Sequence, residues 1–232
     1  MVGLEALDFL QLQYKPPFPL DAIITSPILE RYDRLFLFLL RLFRMQYVSA
    51  QLFRDAFSKT SFSQGLNPLA QRFRIEAHHF ITAITSYIFN VSISMTWHRF
   101  LAQLPSANSL TEIREAHSRT LETMCITSFL KKRQAPILTL LYATFETILL
   151  FAKQSRIYAQ REQRVWPRMR EEMGDNTRIL YAMFVKRAGM FVRVIEQLER
   201  RGVGRGVGEG EGIEGGWFAD LLVRLDGSYF DR

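Results

Sequence analysis

Cysteine, glycine and proline are scarce in this sequence, and each scarcity excludes a class of protein. A single cysteine, Cys125, among 232 residues rules out an internal disulfide framework and fits a reducing compartment. Thirteen glycines and eight prolines, with modest β-branched content, are too few for a β-sandwich or barrel. The opening residues carry acids and no basic residue before the apolar ones, so a signal or transit peptide is not expected.

Apolar and basic residues, by contrast, are abundant. Apolar residues make up 48% of the chain and aromatic residues 13%, with 19 phenylalanines, so a chain of this length can bury a sizeable core. The formal charge is +7, and residues 153–201 hold 12 Lys and Arg against 6 Asp and Glu. This imbalance indicates an acidic partner, which is nucleic acid, an anionic membrane or an acidic protein.

The spacing of the apolar residues predicts helices along most of the chain. The first helix is apolar nearly all the way round, so we expect it to be central. The fold class is therefore all-α, a helical bundle of long, mostly antiparallel helices with a Gly-rich loop before a short C-terminal helix. The predicted long helices cover residues 27–57, 71–104, a segment starting at 110, 136–164 and 176–200.

Turn-forming residues divide these helices. Residues 58–69, which contain Gly and Pro, are predicted to form a loop. The capping box Ser109-x-x-Glu112 should open the third helix, because its side chains can satisfy the free amide groups there. Pro167 and Gly174 are expected to break the chain ahead of the fifth helix.

The C-terminal part is predicted to have a different organisation from the bundle over residues 1–201. Residues 202–216 are mostly Gly, Val and Glu, which predicts a flexible linker. A phosphate-binding loop is not favoured there, because no strand precedes the glycines and the acids would repel phosphate. Residues 217–232 should form a short amphipathic tail helix that docks back on the bundle.

Two long apolar runs raise the question of a membrane span. Residues 77–98 contain no charged side chain, but Ser, Thr and Asn interrupt them and the large residues fall on one helical face. Residues 135–152 are interrupted by Glu146. A lipid bilayer would leave the polar stripe unsatisfied, so both runs are predicted to be core helices and no membrane span is expected.

The residues that could carry catalysis or bind a metal ion are few. His78 and His79 are adjacent and point in different directions on a helix, so they cannot hold one ion together. His117 lies on an apolar face, and Cys125 has apolar neighbours that should keep its thiol inert. Glu146 is the one candidate for a buried acid, with an arginine of the first helix as its expected partner. We therefore predict no enzyme activity, catalytic residue, metal or cofactor.

Basic side chains are the candidates for binding a partner. One interpretation is an ordinary solvated surface that complements helix ends. The functional interpretation is contact with an acidic protein, and a basic helical nucleic-acid-binding module or a membrane-associated helical protein remain alternatives. Nucleic acid is less favoured, because the aromatic residues are spaced for core packing. The candidate residues are Lys131, Lys132, Arg133, Arg156, Arg161 and Arg164.

Several short motifs follow one another in a characteristic order. The first helix and its lead contain Tyr14, Pro19-Leu20, Ile23-Ile24-Thr25, Tyr32 and Phe38-Leu39-Leu40. The second helix contains His79-Phe80, Tyr87-Ile88 and Trp97-x-x-Phe100, the third LTEIREAHSRTL, and the tail LLVRLDGSY. This series resembles the C-terminal domain of gamma-tubulin complex components, the Grip-motif and spindle pole body component proteins. Thr120, Gly227 and Ser228 depart from the family pattern as we know it.

The resemblance implies a function as well as a fold. It implies a scaffold that binds gamma-tubulin and other gamma-tubulin complex components, with any GTP belonging to the tubulin. Such complexes nucleate microtubules at organising centres and spindle poles, in the cytoplasm and cytoskeleton. Family members are usually longer, so we expect this chain to be a fragment. Apolar surface should then be exposed near residues 4–12 or 35–43.

Overall fold

The computed structural model describes residues 3–56, 67–161, 167–202 and 216–225, apart from the side chains of 56, 158–161 and 167–173. These residues contain helices and no strand, which confirms the all-α prediction. A π-helix continues α2 into α3, and short 3-10 turns lie at Leu20–Ala22, Leu104–Ser106 and Lys132–Gln134. The α-helices are α1 (Ser26–Ala56), α2 (Pro68–Tyr87), α3 (Thr96–Gln103), α4 (Leu110–Thr127), α5 (Ala135–Arg161), α6 (Pro167–Arg200) and α7 (Ala219–Leu225).

Two helix starts are fixed by side chains that accept backbone hydrogen bonds. Asn67 Oδ1 accepts from the amides of Leu69 and Ala70, at 3.0 and 3.4 Å, and Pro68 occupies the first turn. Helix α2 therefore begins three residues before the predicted 71. The predicted loop over 58–69 otherwise lies mainly outside the described residues.

The predicted capping box at the start of α4 is confirmed. Ser109 Oγ accepts a hydrogen bond from the amide of Glu112 at 3.2 Å. The Glu112 carboxylate accepts in return from the amide of Asn108 at 2.8 Å, one residue earlier than in the standard box. These contacts satisfy amide groups that the first helical turn leaves free.

The prediction that Gly174 breaks the chain is wrong. Helix α6 begins at Pro167 and continues through Gly174 to Arg200. Proline suits a first helical turn, where its missing amide is not needed. A single glycine inside a helix costs only about 1 kcal/mol relative to alanine, which a long, well-packed helix tolerates. Helix α5 covers Ala135–Arg161, and the predicted continuation to 164 lies outside the described residues.

Aromatic contacts define how the long helices are arranged. Helices α1 and α2 are antiparallel, since Phe53 stacks on His78 at one end and Phe43 contacts Phe89 at the other. Helices α5 and α6 are also antiparallel. Arg187 of α6 donates to the carbonyl of Ala143 at 2.7 Å, while the Phe73 ring joins the later part of α5 to the earlier part of α6.

The larger of two core clusters contains a continuous series of fully buried rings. Neighbouring rings in this aromatic series have centroids between 4.2 and 6.4 Å apart. The series joins α2, α5 and α6 to the turn after α4 and to the tail, so it links most of the bundle. Its members, in order of contact, are Phe151, Phe73, Phe184, Phe80, Phe191, Phe129, Phe218 and Tyr87.

A smaller core cluster lies where α1, α3 and α4 meet. Its buried members are Ile28, Leu35, Leu121 and Met124. Tyr32 and Trp97 pack against it while remaining partly exposed. This cluster also receives Ile24, so it fixes the end of the N-terminal arm, which we define as Gly3–Thr25.

The π-helix is the one break in regularity along the second predicted helix. It covers Ile88–Met95, and no feature of the apolar spacing predicted it. Ser92 is fully buried there, and its hydroxyl lies 2.5 Å from Thr127 Oγ1 and 2.9 Å from Ser128 Oγ. This polar contact ties the π-helix to the end of α4.

The predicted short C-terminal helix is present as α7, Ala219–Leu225, and residues 226–232 of the predicted tail lie outside the described residues. Phe218, Leu221 and Leu225 are fully buried against the bundle. The Glu199 carboxylate accepts a hydrogen bond from the Phe218 amide at 3.0 Å. A Cβ at Gly216 would lie 2.1 Å from that carboxylate, so a larger residue there would displace Glu199 from the Phe218 amide. Most of the predicted linker, 203–215, lies outside the described residues.

One stretch passes a length and composition test for a membrane span. It is Leu110–Ile157, and half of its most apolar window is buried inside the protein. The core helix of a folded bundle has the same composition. The expectation of no membrane span therefore stays a prediction.

Candidate partner-binding surfaces

The first basic group lies on a rigid turn between α4 and α5. Phe129 adopts a left-handed conformation with φ of 62°, and Leu130 N donates to the carbonyl of Cys125 at 2.8 Å. The buried Phe129 ring stacks on Phe218 at 5.4 Å, and this packing holds a conformation that glycine usually supplies. The side chain of Gln134 closes the turn by donating to the carbonyl of Ile126 at 3.0 Å.

The three cations on this turn differ in their availability. Lys131 Nζ lies 2.5 Å from Glu122 Oε1 and is therefore paired within the chain. The hydrogen bond from Lys131 lowers the pKa of the Glu122 carboxyl. Lys132 and Arg133 are exposed. The turn thus presents Lys132 and Arg133 to a partner, while Lys131 is paired with Glu122.

The second basic group lies near the other end of α5. Arg156 is exposed on the last turns of this helix. Arg161 is its final residue, with a side chain outside the described part of the chain, and Arg164 lies outside the described residues altogether. Arg156 is about 30 Å along α5 from the turn, at 1.5 Å per residue. The structure therefore does not bring the described members of the two groups together.

Exposed apolar side chains are concentrated in the N-terminal arm. Phe9 and Phe18 are 77% and 89% exposed, although Leu4 is buried in the larger core cluster. The arm is held to α1 by an ion pair between Asp8 and Arg41. This matches the expected apolar exposure near residues 4–12. The second expected region is residues 35–43. Three of its large apolar side chains, Leu35, Phe38 and Leu42, are buried, and Phe43 is the strongly exposed one.

Three residues that contributed to the family resemblance meet around a fourth, His117. A hydrogen bond of 2.8 Å joins the Tyr32 hydroxyl and Nε2 of His117. The rings of Phe100 and Trp97 lie 5.6 and 6.4 Å from the imidazole. Burial lowers the pKa of His117, so the ring is neutral at neutral pH. This site joins α1, α3 and α4, and it agrees with the prediction of a core histidine.

The prediction that Glu146 is a buried acid is wrong. Glu146 is exposed on α5, because its position falls on the solvent side of an otherwise apolar helix. The buried acid is Glu76, which is 3% exposed. Its carboxylate accepts hydrogen bonds from Arg72 Nε at 2.7 Å and from the Tyr181 hydroxyl at 3.0 Å. Glu76 therefore joins α2 to α6, and the Arg72-x-x-x-Glu76 spacing was the sequence signal for it.

Two further chemical candidates are Cys125 and His78. Cys125 is buried, and burial raises the pKa of its thiol, which disfavours the reactive thiolate. Burial lowers the pKa of His78, whose ring stacks on Phe53. Among the described residues, no group of three or more His, Cys, Asp or Glu has the geometry to hold a metal ion.

Comparison with known proteins gives a match along nearly the whole chain. Residues 1–230 match the family described as "Gamma tubulin complex component C-terminal". Gamma-tubulin complex component 6 of Mus musculus is 32% identical over 155 residues, which are 65% of this chain and 9% of that protein.

More distant relatives come from plants and amoebae. Gamma-tubulin complex component 3 of Arabidopsis thaliana is 27% identical over 166 residues, 65% of this chain and 20% of that protein. Spindle pole body component 98 of Dictyostelium discoideum is 28% identical over 132 residues, 53% of this chain and 16% of that protein. The chain thus spans a fifth or less of the length of these relatives. Their names agree with the expected setting at microtubule organising centres.

Proposed function

Because this chain belongs to the gamma-tubulin complex component C-terminal family, we propose that it binds gamma-tubulin as a scaffold component of a gamma-tubulin complex. In this proposal the complex nucleates microtubules at organising centres and spindle poles, and other complex components are further partners. The observation that carries it is the family match from residue 1 to residue 230. The chain acts by binding, and no catalytic step is assigned to it.

The helical structure supports a scaffold role. The aromatic series and the docked tail join the long helices into one packed bundle, so surface residues keep fixed positions. Cys125 is buried, and the buried acid Glu76 is hydrogen-bonded within the chain to Arg72 and Tyr181. Such a molecule presents a shaped surface to a partner.

The charge distribution supports an acidic partner. Lys132, Arg133 and Arg156 are exposed, and the chain carries a formal charge of +7. Charges at the rim of an interface speed the encounter of two proteins, while buried apolar side chains hold the complex together. We therefore propose that Lys131, Lys132, Arg133, Arg156, Arg161 and Arg164 assist the approach of gamma-tubulin.

Purified gamma-tubulin provides the direct test. The folded chain should retain gamma-tubulin in a pull-down at low salt, and the association rate should fall as salt is raised because screening weakens the attraction. Absence of binding at low salt by a protein with a cooperative melt would contradict the proposed function. Filter binding with an RNA of mixed sequence separates this proposal from the nucleic-acid alternative.

Charge reversal tests the basic residues separately from binding itself. A variant with Arg156, Arg161 and Arg164 replaced by Glu should associate more slowly with gamma-tubulin, with a smaller change in its dissociation rate. Arg114→Glu is the matched control, since Arg114 is exposed on α4 away from both basic groups. Equal association rates for the two variants would exclude Arg156, Arg161 and Arg164 as the steering surface and leave gamma-tubulin binding intact.

A further inference from the structure

An apolar stripe runs along the outer face of α1. We define it as Phe36, Leu40, Phe43 and Tyr47. Phe43 is 50% exposed and Tyr47 63%, and the other two are partly exposed. Within the described residues, none of the four belongs to or packs against either core cluster. Among the described residues, the stripe therefore contributes one aromatic contact, Phe43 with Phe89, and otherwise lies outside the two cores.

The spacing of the stripe is that of a helix-pairing seam. Its members alternate by four and three residues, and the same alternation continues to Leu29 and Asp33 on one side and to Ala50 and Arg54 on the other. A strict alternation of this kind repeats every seven residues and keeps one face turned toward a partner helix. A helix that only covers its own core needs a broader apolar face.

The charges at the two ends of the seam indicate which partner fits. Asp33 lies at the N-terminal end, where its Oδ1 accepts a hydrogen bond from Leu12 N at 2.9 Å, and the exposed Arg54 lies at the C-terminal end. In an antiparallel pairing of two identical seams, each acidic end meets the basic end of the other copy. A uniformly acidic partner would complement Arg54 and repel Asp33.

We propose that α1 pairs antiparallel with α1 of a second copy of this chain, through the apolar stripe and about a two-fold axis. The axis passes between Leu40 and Phe43. Leu40 of one copy therefore faces Phe43 of the other, and Phe36 of one copy faces Tyr47 of the other. Arg54 then lies opposite Leu29, within one helical turn of Asp33 in the second copy. Phe43 is supported from behind by Phe89 of the π-helix, with ring centroids 5.1 Å apart.

The size of the seam sets the expected strength of the dimer. From Leu29 to Arg54 it extends about 37 Å at 1.5 Å per residue. One helix pair of this length buries less than the roughly 800 Å² per partner of a standard stable interface. The pairing is therefore concentration-dependent, in the range expected of a weak interface, and it is independent of gamma-tubulin binding.

Sedimentation velocity of the full chain, without gamma-tubulin, tests the pairing. The wild type should shift from monomer to dimer as its concentration rises from about micromolar to several hundred micromolar. Tyr47→Lys should abolish the shift, because it places two ammonium groups in the apolar seam. Tyr47 is exposed, so this variant should keep the wild-type melting temperature. A wild type that stays monomeric throughout, or a Tyr47→Lys variant that dimerises like it, overturns the proposal.

A charge exchange tests the antiparallel arrangement itself. Arg54→Glu should weaken the dimer about tenfold, because the exposed pair occurs twice across the two-fold axis. Asp33→Arg should weaken it similarly, and the double variant should restore most of the affinity. Arg34→Glu is the matched control, an exposed arginine of α1 outside the seam, and should leave the dimer unchanged. A double variant no stronger than the single ones would exclude this arrangement.

Discussion

The two core clusters of this protein differ in chemistry and in what determines them. The larger cluster is a series of apolar side chains, many of them phenylalanine, on helices whose spacing already predicted burial. The smaller cluster lies beside His117, whose hydrogen bond to Tyr32 joins the same helices. The first needs apolar side chains of the right volume, whereas the second needs particular residues. The difference shows why packing and residue identity must be tested separately.

Loss of a ring from the larger cluster should have the greatest effect. Phe73→Ala removes a fully buried ring that contacts Phe151 at 4.2 Å and Phe184 at 5.1 Å, and should lower the free energy of unfolding by about 3–5 kcal/mol. Urea unfolding followed by circular dichroism measures the change. Phe9→Ala, at a ring 77% exposed, is the control and should change it by about 0.5 kcal/mol or less. Similar losses in both variants would contradict the assignment of the core.

Truncation in the smaller cluster should have a smaller and more local effect. Leu121→Ala removes a fully buried side chain and should cost about 2–3 kcal/mol. Because the cluster joins α1, α3 and α4, amide hydrogen exchange should speed up first in α3 and at the end of the N-terminal arm. Exchange in α5 and α6 should change less. Uniform acceleration along the chain would mean that the two clusters unfold as one unit.

Removal of the Tyr32 hydroxyl isolates the polar contact. Tyr32→Phe keeps the ring and deletes the 2.8 Å hydrogen bond to His117, so unfolding should become easier by about 1 kcal/mol. A double-mutant cycle with His117→Asn should show coupling between the two positions, measured by the same urea unfolding. Additive effects would mean that the hydrogen bond adds nothing beyond the packing of the two rings.

The smaller cluster should also respond to pH. Burial lowers the pKa of His117 in the folded protein below its ordinary value of 6.5, so the folded state binds fewer protons than the unfolded state in mildly acidic solution. The contribution of His117 to the free energy of unfolding is complete above pH 6.5, and it is lost as the pH falls toward the lowered pKa. His78 acts in the same direction.

Unfolding at several pH values measures this contribution. His117→Gln should reduce the loss of stability between neutral and mildly acidic pH by about 1 kcal/mol or less, since one protonation can contribute at most about 1.4 kcal/mol per pH unit. His98→Gln, at an exposed histidine of α3, is the control for replacing a histidine by glutamine. An unchanged pH dependence in His117→Gln would show that this histidine titrates normally in the folded protein.

The tether of the N-terminal arm should matter least. Asp8→Asn weakens the partly exposed ion pair with Arg41, and such pairs contribute about 1 kcal/mol or less. The melting temperature should change little, while amide exchange in residues 3–12 should increase because the arm loses this contact. Asp175→Asn, at an exposed acid of α6, is the control. Unaltered exchange would show that the other contacts of the arm, such as buried Leu4 and the hydrogen bond from Leu12 N to Asp33, hold it without this ion pair.

Most of the fold followed from the spacing of apolar residues. The inward faces of α2, α5 and α6, with residues such as Phe80, Phe145 and Phe184, were predicted because a 3.6-residue period marks the buried side. The capping box and the docked tail were predicted from local chemistry. These are features that a few neighbouring residues determine on their own.

The errors arose where distant residues decide the outcome. Gly174 was expected to break a helix, but the length and packing of α6 outweigh its local preference. Glu146 was expected to be buried because its neighbours are apolar, whereas the acid that is buried, Glu76, depends on Tyr181, which is 105 residues away. The basic candidates were chosen by charge alone, and their role in binding stays a prediction.

The π-helix over Ile88–Met95 changes the direction in which the following residues point. The turns of a π-helix are wider than those of an α-helix, so each residue advances through a smaller angle about the helix axis. Over eight residues the total rotation is smaller than that of an α-helix by on the order of a third of a turn. That rotational offset turns Trp97 and Phe100 of α3 toward His117, while Phe80 of α2 still faces the aromatic series. A single helical rod can therefore serve two differently placed cores. If the same eight residues formed an α-helix instead, every side chain of α3 would turn by about that third of a turn, although no residue would be lost.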